Sequence, residues 1–146
     1  MRDIVALIAH DSKKDEMVRL ARAYRHGLSG LSLVATRSTG QFVEGRTGLK
    51  VKLLQRGALG GDHQIGALVA GEQVRAVIFL RDPLMAHPYD PEVSALLRVC
   101  DVHNVPIATN AGTAEAVLAA ICGSRESTDE PYLASRLPEQ MAAINK

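Results

Sequence analysis

The chain has no tryptophan, three tyrosines and two phenylalanines. Stacking of nucleic-acid bases needs aromatic platforms, and there is little here to build one. An excess of one charge is missing as well: 17 Lys and Arg face 16 Asp and Glu, a formal net of +1. Dedicated nucleic-acid binders carry a basic excess, so no nucleic-acid partner is expected. Cysteine is scarce. Cys100 and Cys122 fall in helix-like stretches without other ligands at metal spacing. They read as small buried hydrophobes in a reducing compartment, not as a disulfide or a zinc site.

Long apolar runs are absent too. None approaches the roughly 20 residues a membrane helix needs. The opening "MRDIVALIAHD" sets an acid before a short apolar run, which reads as a buried strand and not as a signal peptide. These features predict a cytoplasmic protein without a membrane partner. No Gly-x-Gly-x-x-Gly follows the first strand, and no Gly-x-x-x-x-Gly-Lys-Ser/Thr occurs, so neither a dinucleotide site nor a nucleotide triphosphatase is supported. No His, Cys and carboxylate set has metal spacing. No metal and no cofactor are expected.

What is present is a regular alternation. At 146 residues and 47% hydrophobic content the chain suits one globular domain with a full core. Short apolar runs at 4–9, 31–35, 51–54, 75–80 and 105–109 read as strands. Helical patterns fall at 12–27, 41–47, 63–71, 92–103 and 112–122, with a polar loop "TRSTG" before the second and a Pro-rich loop after the fourth strand. Strand and helix in alternation predict an α/β fold, a five-stranded parallel sheet with helices on both faces. The domain is expected over 1–124. Periodicity fades in the tail 125–146, which is expected to pack on the body or on a neighbouring subunit.

Ligands of such folds sit outside the carboxyl ends of the strands. The polar residues gather there: His10, Asp11, Ser12, Lys13 and Lys14 after strand one; Thr36, Arg37, Ser38 and Thr39 after strand two; Arg56, Gly57 and "GGD" with Asp62 after strand three; Asp82, Tyr89 and Glu92 after strand four. Hydroxyls and amides at a helix N-terminus suit a phosphate, and Lys14 would add charge. Ser38 and Thr39 read equally as plain helix caps. Asp62, behind two glycines, reads either as an N-cap or as a general base that a ligand can approach. His10 reads as a ligand donor or a structural histidine, and Asp82 before Pro83 as a turn residue or a site acid.

The segments "VALIAHDSKKDEM", a Thr-containing loop with "STG", "GALGGDHQIGALVA", "VIFLRDPL" and "PYDPEVSALLRVCDVHNVPIATN" resemble the methylglyoxal synthase family in order and spacing, over residues 3–122. "YLASRL" at 132–137 is similar to the family's C-terminal end. The resemblance implies a Rossmann-like domain assembled as a homohexamer. It implies conversion of dihydroxyacetone phosphate to methylglyoxal and inorganic phosphate without metal or cofactor, with phosphate as product and inhibitor. By position it implies Asp62 as base and His10 as substrate contact. Lys14, Ser38, Thr39 and Gly57 would bind phosphate, Arg136 would reach a neighbour's phosphate site, and Asp11 and Asp82 would be supporting acids.

Several positions depart from the family pattern. Thr36-Arg37-Ser38-Thr39-Gly40 stands where the family has Thr-Gly-Thr-Thr-Gly. Arg56-Gly57-Ala58 stands where it has Ser-Gly-Pro. Tyr89 replaces a histidine thought to shuttle protons, and with a pKa near ~10 a tyrosine is a poorer shuttle. Glu92 replaces an aspartate. Arg37 and Arg56 would either grip phosphate bidentately or read a more anionic ligand. Two other readings therefore stand beside a synthase: a non-catalytic phosphometabolite-binding protein, and a lyase for another sugar phosphate.

Overall fold

A computed structural model describes residues 2–85 and 90–123, and for residues 90–92 the backbone alone. Five parallel strands, β1 (Ile4–Ala9), β2 (Ser32–Ala35), β3 (Lys52–Leu53), β4 (Val74–Leu80) and β5 (Ile107–Ala108), lie in the order β3-β2-β1-β4-β5. β1 and β4 form the centre, paired from Val5 with Ala76 to Ala9 with Leu80. Both are buried on both faces, which is why they read as unbroken apolar runs and not as alternation. The edge strands β3 and β5 pair over two residues each, shorter than their apolar patterns suggest.

Helices α1 (Lys14–Ala23), α2 (Arg25–Ser29), α3 (Arg37–Thr47) and α6 (Ala111–Cys122) cover one face. That layer's core includes Leu7, Met17, Leu28, Val43 and Leu118. Helices α4 (Gly61–Ala70) and α5 (Asp90–Val102) pack on each other over the opposite face, where the core includes Ile65, Val69, Val77, Leu96 and Cys100. The chain winds from β1 out to β3, then crosses back to β4. Its direction of winding therefore reverses between β1 and β4, which opens a crevice at their carboxyl ends. Among the described residues no helix is long and apolar enough to cross a membrane.

Two expectations need correction. The helix expected over 12–27 is split. A short 3-10 turn, Asp11–Lys13, precedes α1, and Tyr24 leaves helical geometry with φ −117° and ψ 25° before α2 begins. Tyr24 is buried, and its hydroxyl donates to Glu115 Oε1 on α6 at 2.9 Å. A cross-helix contact overrides the local periodicity there. The stretch "TRSTG" is not a loop. Thr36 is the N-cap, and Arg37 through Gly40 already form the first turn of α3. Gly40 serves packing, since a Cβ there would lie 2.3 Å from Leu53 Cδ2.

Candidate active site

The crevice holds a cavity of about 510 Å³ lined from three segments, His10, Asp11 and Lys14 after β1, Thr36, Ser38 and Gln41 after β2, and Arg56, Gly57, Ala58 and Asp62 after β3, and by an apolar wall of Ile8, Phe79 and Val93. Of the residues expected at the site, it brings together His10, Asp11, Lys14, Thr36, Ser38, Arg56, Gly57 and Asp62. Arg37 and Thr39 belong to the same turn of α3 but not to the lining. Asp82 is not in the lining, but its backbone N–H donates to the lining residue His10. Tyr89 and Arg136, like the tail 125–146, lie outside the described residues, and so does the side chain of Glu92.

Asp62 is not a cap. The N-cap of α4 is Gly60, and Asp62 is the second residue of the helix. It is 7% exposed, and among the described residues its Oδ1 has no hydrogen-bond partner. A buried carboxylate oxygen without a partner is costly to fold; the positive end of the helix dipole offsets part of that cost. Both glycines before it are required. Gly60 adopts φ 99°, the left-handed region. A Cβ on Gly61 would lie 2.1 Å from Gln55 O, so only glycine lets α4 start against the end of β3. The pair sets the acid into the cavity wall.

Lys14 is 6% exposed, and its Nζ donates to Ala9 O at 3.3 Å and to Asp11 Oδ1 at 2.5 Å. Asp11 is fully exposed and neutralises this buried cation from the solvent side. Thr39 is 1% exposed. Its hydroxyl oxygen accepts from the Ala9 amide at 3.1 Å and from the Thr36 hydroxyl at 3.1 Å. Thr39 is thus a clamp between β1 and α3, and its capping reading falls with the position of the N-cap at Thr36. The N-cap Thr36 makes no side-chain cap bond to α3; the Arg37 amide donates to Gln55 O at 3.4 Å, and the rest of this helix start suits an anion. Ser38 is exposed on that turn.

His10 packs edge-on against Phe79, with ring centroids 5.4 Å apart at 85°. Its Nδ1 accepts from the Asp82 amide at 2.9 Å, which assigns the hydrogen of the neutral ring to Nε2. The Asp82 carboxylate accepts from the Ser12 hydroxyl at 2.6 Å and from the Leu84 amide at 3.0 Å. The Ser12 hydroxyl, then the Leu84 amide, hold its carboxyl below the ordinary carboxylate value. Sequence reasoning passed over Gln41, Phe79 and Val93. Gln41 has a signal only once α3 is seen to start at Arg37: Ser38 and Gln41 are then three apart on one helix face.

A doubly wound five-stranded sheet with a buried acid, a buried lysine and an uncapped helix start at one crevice defines an α/β protein built for a small anionic ligand. The chain belongs to the MGS-like domain family, whose model matches residues 16–109. Methylglyoxal synthase of Caldicellulosiruptor saccharolyticus is 55% identical over 117 residues, covering 80% of this chain and 83% of that protein. Methylglyoxal synthase of Bacillus subtilis is 55% identical over 111 residues, covering 76% and 81%. The crystal structure of methylglyoxal synthase from Elizabethkingia anophelis superposes with a TM-score of 0.76 at 37% identity, covering 93% of this chain and 90% of that one.

Proposed function

We propose that this chain is a methylglyoxal synthase acting on dihydroxyacetone phosphate. The observation that carries the reading is Asp62: a carboxylate 7% exposed, with an unpartnered Oδ1, in the wall of a cavity that also holds Lys14, Ser38 and Arg56. Asp62 takes a proton from the hydroxymethyl carbon and an enediolate forms across the former carbonyl. The carbon–oxygen bond to phosphate then breaks, phosphate leaves, and the remaining enol rearranges to methylglyoxal. Lys14, the amides and hydroxyl at Ser38, Gly57 and Arg56 hold the phosphoryl group. His10, as an Nε2–H donor, supports the negative charge that grows on the carbonyl oxygen.

The family resemblance supports further roles. Glu92 and Tyr89 assist proton movement, with Asp11 and Asp82 as supporting acids. Arg136 completes a neighbour's phosphate site in a cytoplasmic homohexamer. The exposed Leu59 (68%) and Leu84 (91%), close in sequence to the cavity's residues, are consistent with such an assembly. Arg56 in the lining also favours the second reading, a protein that only binds a phosphorylated metabolite.

One assay separates the two. Purified protein is incubated with dihydroxyacetone phosphate, and methylglyoxal and phosphate are followed together, with Asp62→Asn as control. Equal release of both products, lost in the variant, is the expected result. Binding of phosphate without turnover would move the chain to the second reading.

A further inference from the structure

Ser12 lies outside the cavity lining and is exposed. Its hydroxyl nevertheless makes a short bond, 2.6 Å, to Asp82 Oδ2 across seventy residues of chain. The same Asp82 gives its backbone N–H to His10 Nδ1 at 2.9 Å. Its other carboxylate oxygen closes the turn at Leu84. The His10 backbone is already fixed, since its amide donates to Leu80 O at 3.1 Å, and Phe79 packs on the ring at 85°. What these contacts leave open is which ring nitrogen carries the hydrogen. The Asp82 amide bears on that, because a donor aimed at Nδ1 requires a bare nitrogen there.

We propose that Ser12 is a positioning residue: it ties the turn after β1 to the turn after β4, so that the Asp82 amide locks His10 in the Nε2–H tautomer. With Nδ1 occupied, His10 faces a ligand oxygen only as a donor. This rests on the reading of the cavity as a site where oxygen charge develops during phosphate elimination. The turn at Asp82 holds its own shape through Leu84, and the Ser12 hydroxyl is the hydrogen bond that joins the Asp82 carboxylate to the segment carrying His10, where Lys13 and His10 also attract it by charge. Without the Ser12 hydroxyl the strand ends stay joined through His10 and Leu80, but the Asp82 carboxylate loses its tie to the turn after β1, its amide is held less firmly on Nδ1, and the Nδ1–H form becomes accessible.

The test uses the full ¹⁵N-labelled chain without ligand, and reads the His10 ring nitrogens at neutral pH in the wild type, Ser12→Ala and Ser12→Thr. In the wild type Nδ1 should resonate as a bare nitrogen and Nε2 as a protonated one. Ser12→Ala should shift both toward the average of two tautomers, and Ser12→Thr should restore the wild-type values. Turnover should fall about tenfold in Ser12→Ala, in kcat with KM little changed, as for a donor that acts on developing charge. A residue that merely braced the loop would lower the melting temperature and leave the ring resonances in place. Unchanged ring resonances in Ser12→Ala, or a wild-type ring protonated at Nδ1, would overturn the proposal. Absence of turnover in the wild type would count against the synthase reading alone, since the ring spectra judge the tautomer by themselves.

Discussion

The Thr39 hydroxyl joins the last residue of β1 to the first turn of α3: it accepts from the Ala9 amide at 3.1 Å while 1% exposed. A position that the family resemblance would give to phosphate is, in this chain, a structural clamp. Thr39→Val keeps the volume but leaves the Ala9 amide unpaired in a buried place. The expected loss is about 1–3 kcal/mol of unfolding free energy, read by urea titration. Thr39→Ser should keep most of it. If Thr39→Val is as stable as the wild type and loses only phosphate affinity, the hydroxyl belongs to the ligand and not to the fold.

Asp62 should show the opposite balance. Its unpartnered, buried Oδ1 weakens the fold. Asp62→Asn removes the charge at constant shape, so its melting temperature should equal or exceed that of the wild type. Turnover of dihydroxyacetone phosphate should drop by about 10²–10⁴, the usual contribution of a positioned base. A variant that melts lower and still turns over would remove Asp62 as the base.

Much of this was legible in the sequence, for physical reasons. β1 and β4 are buried on both faces, so their apolar runs are continuous and hard to mistake. The gathering of polar residues after the strands follows from the sheet being parallel. The start of α3 was not legible, because Ser, Thr and Gly at 38–40 are turn formers locally. Thr39 bonds across to β1 and Gly40 packs on Leu53, contacts that no short window contains. Missing that start hid Gln41. The break at Tyr24 failed likewise, since its cause, Glu115, is 91 residues away.

The two glycines flanking the short turn before α4 should respond differently. A Cβ on Gly61 would meet Gln55 O at 2.1 Å, while one on Gly57 meets nothing within 4 Å. Gly61→Ala forces the start of α4 off β3 and displaces Asp62. It should cost roughly 1–3 kcal/mol or more and abolish turnover. Gly57→Ala should leave the melting temperature nearly unchanged and raise only KM, because it narrows the cavity. Equal stability of the two variants would mean that α4 does not begin against Gln55.

Cys100, on α5, is buried in the core, and burial, assisted by Asp101, pushes its thiol up to about 11. Burial raises Cys122 as well. Thiolate is the reactive form, so neither should react quickly with iodoacetamide at pH 7.5 in the folded protein, and both should in urea. The sign for stability follows. A group whose folded value is raised loses its contribution as pH climbs from the unfolded value toward the folded one, so the alkaline limb should fall between about 9 and 11. Cys100→Ala should flatten that limb. Rapid alkylation at neutral pH would show that α5 opens.

Of the two arginines that depart from the family pattern, Arg56 lines the cavity and Arg37 does not. Arg56 is exposed, and it forms no ion pair among the described residues. A guanidinium without a carboxylate, beside Gly57 and across from Ser38, is placed to meet phosphate. It acts on the phosphoryl group, which is anionic in both substrate and transition state, so its binding should be uniform and should appear in KM and not in kcat. Arg56→Ser should raise KM, and the inhibition constant for inorganic phosphate, about threefold to tenfold, the lower end reflecting its exposure. Salt should screen the same interaction, so the rise of KM between low and high ionic strength should be shallower in the variant. A KM and salt response identical to the wild type would place the guanidinium in solvent. A fall in kcat with KM unchanged would instead give Arg56 a part in the transition state.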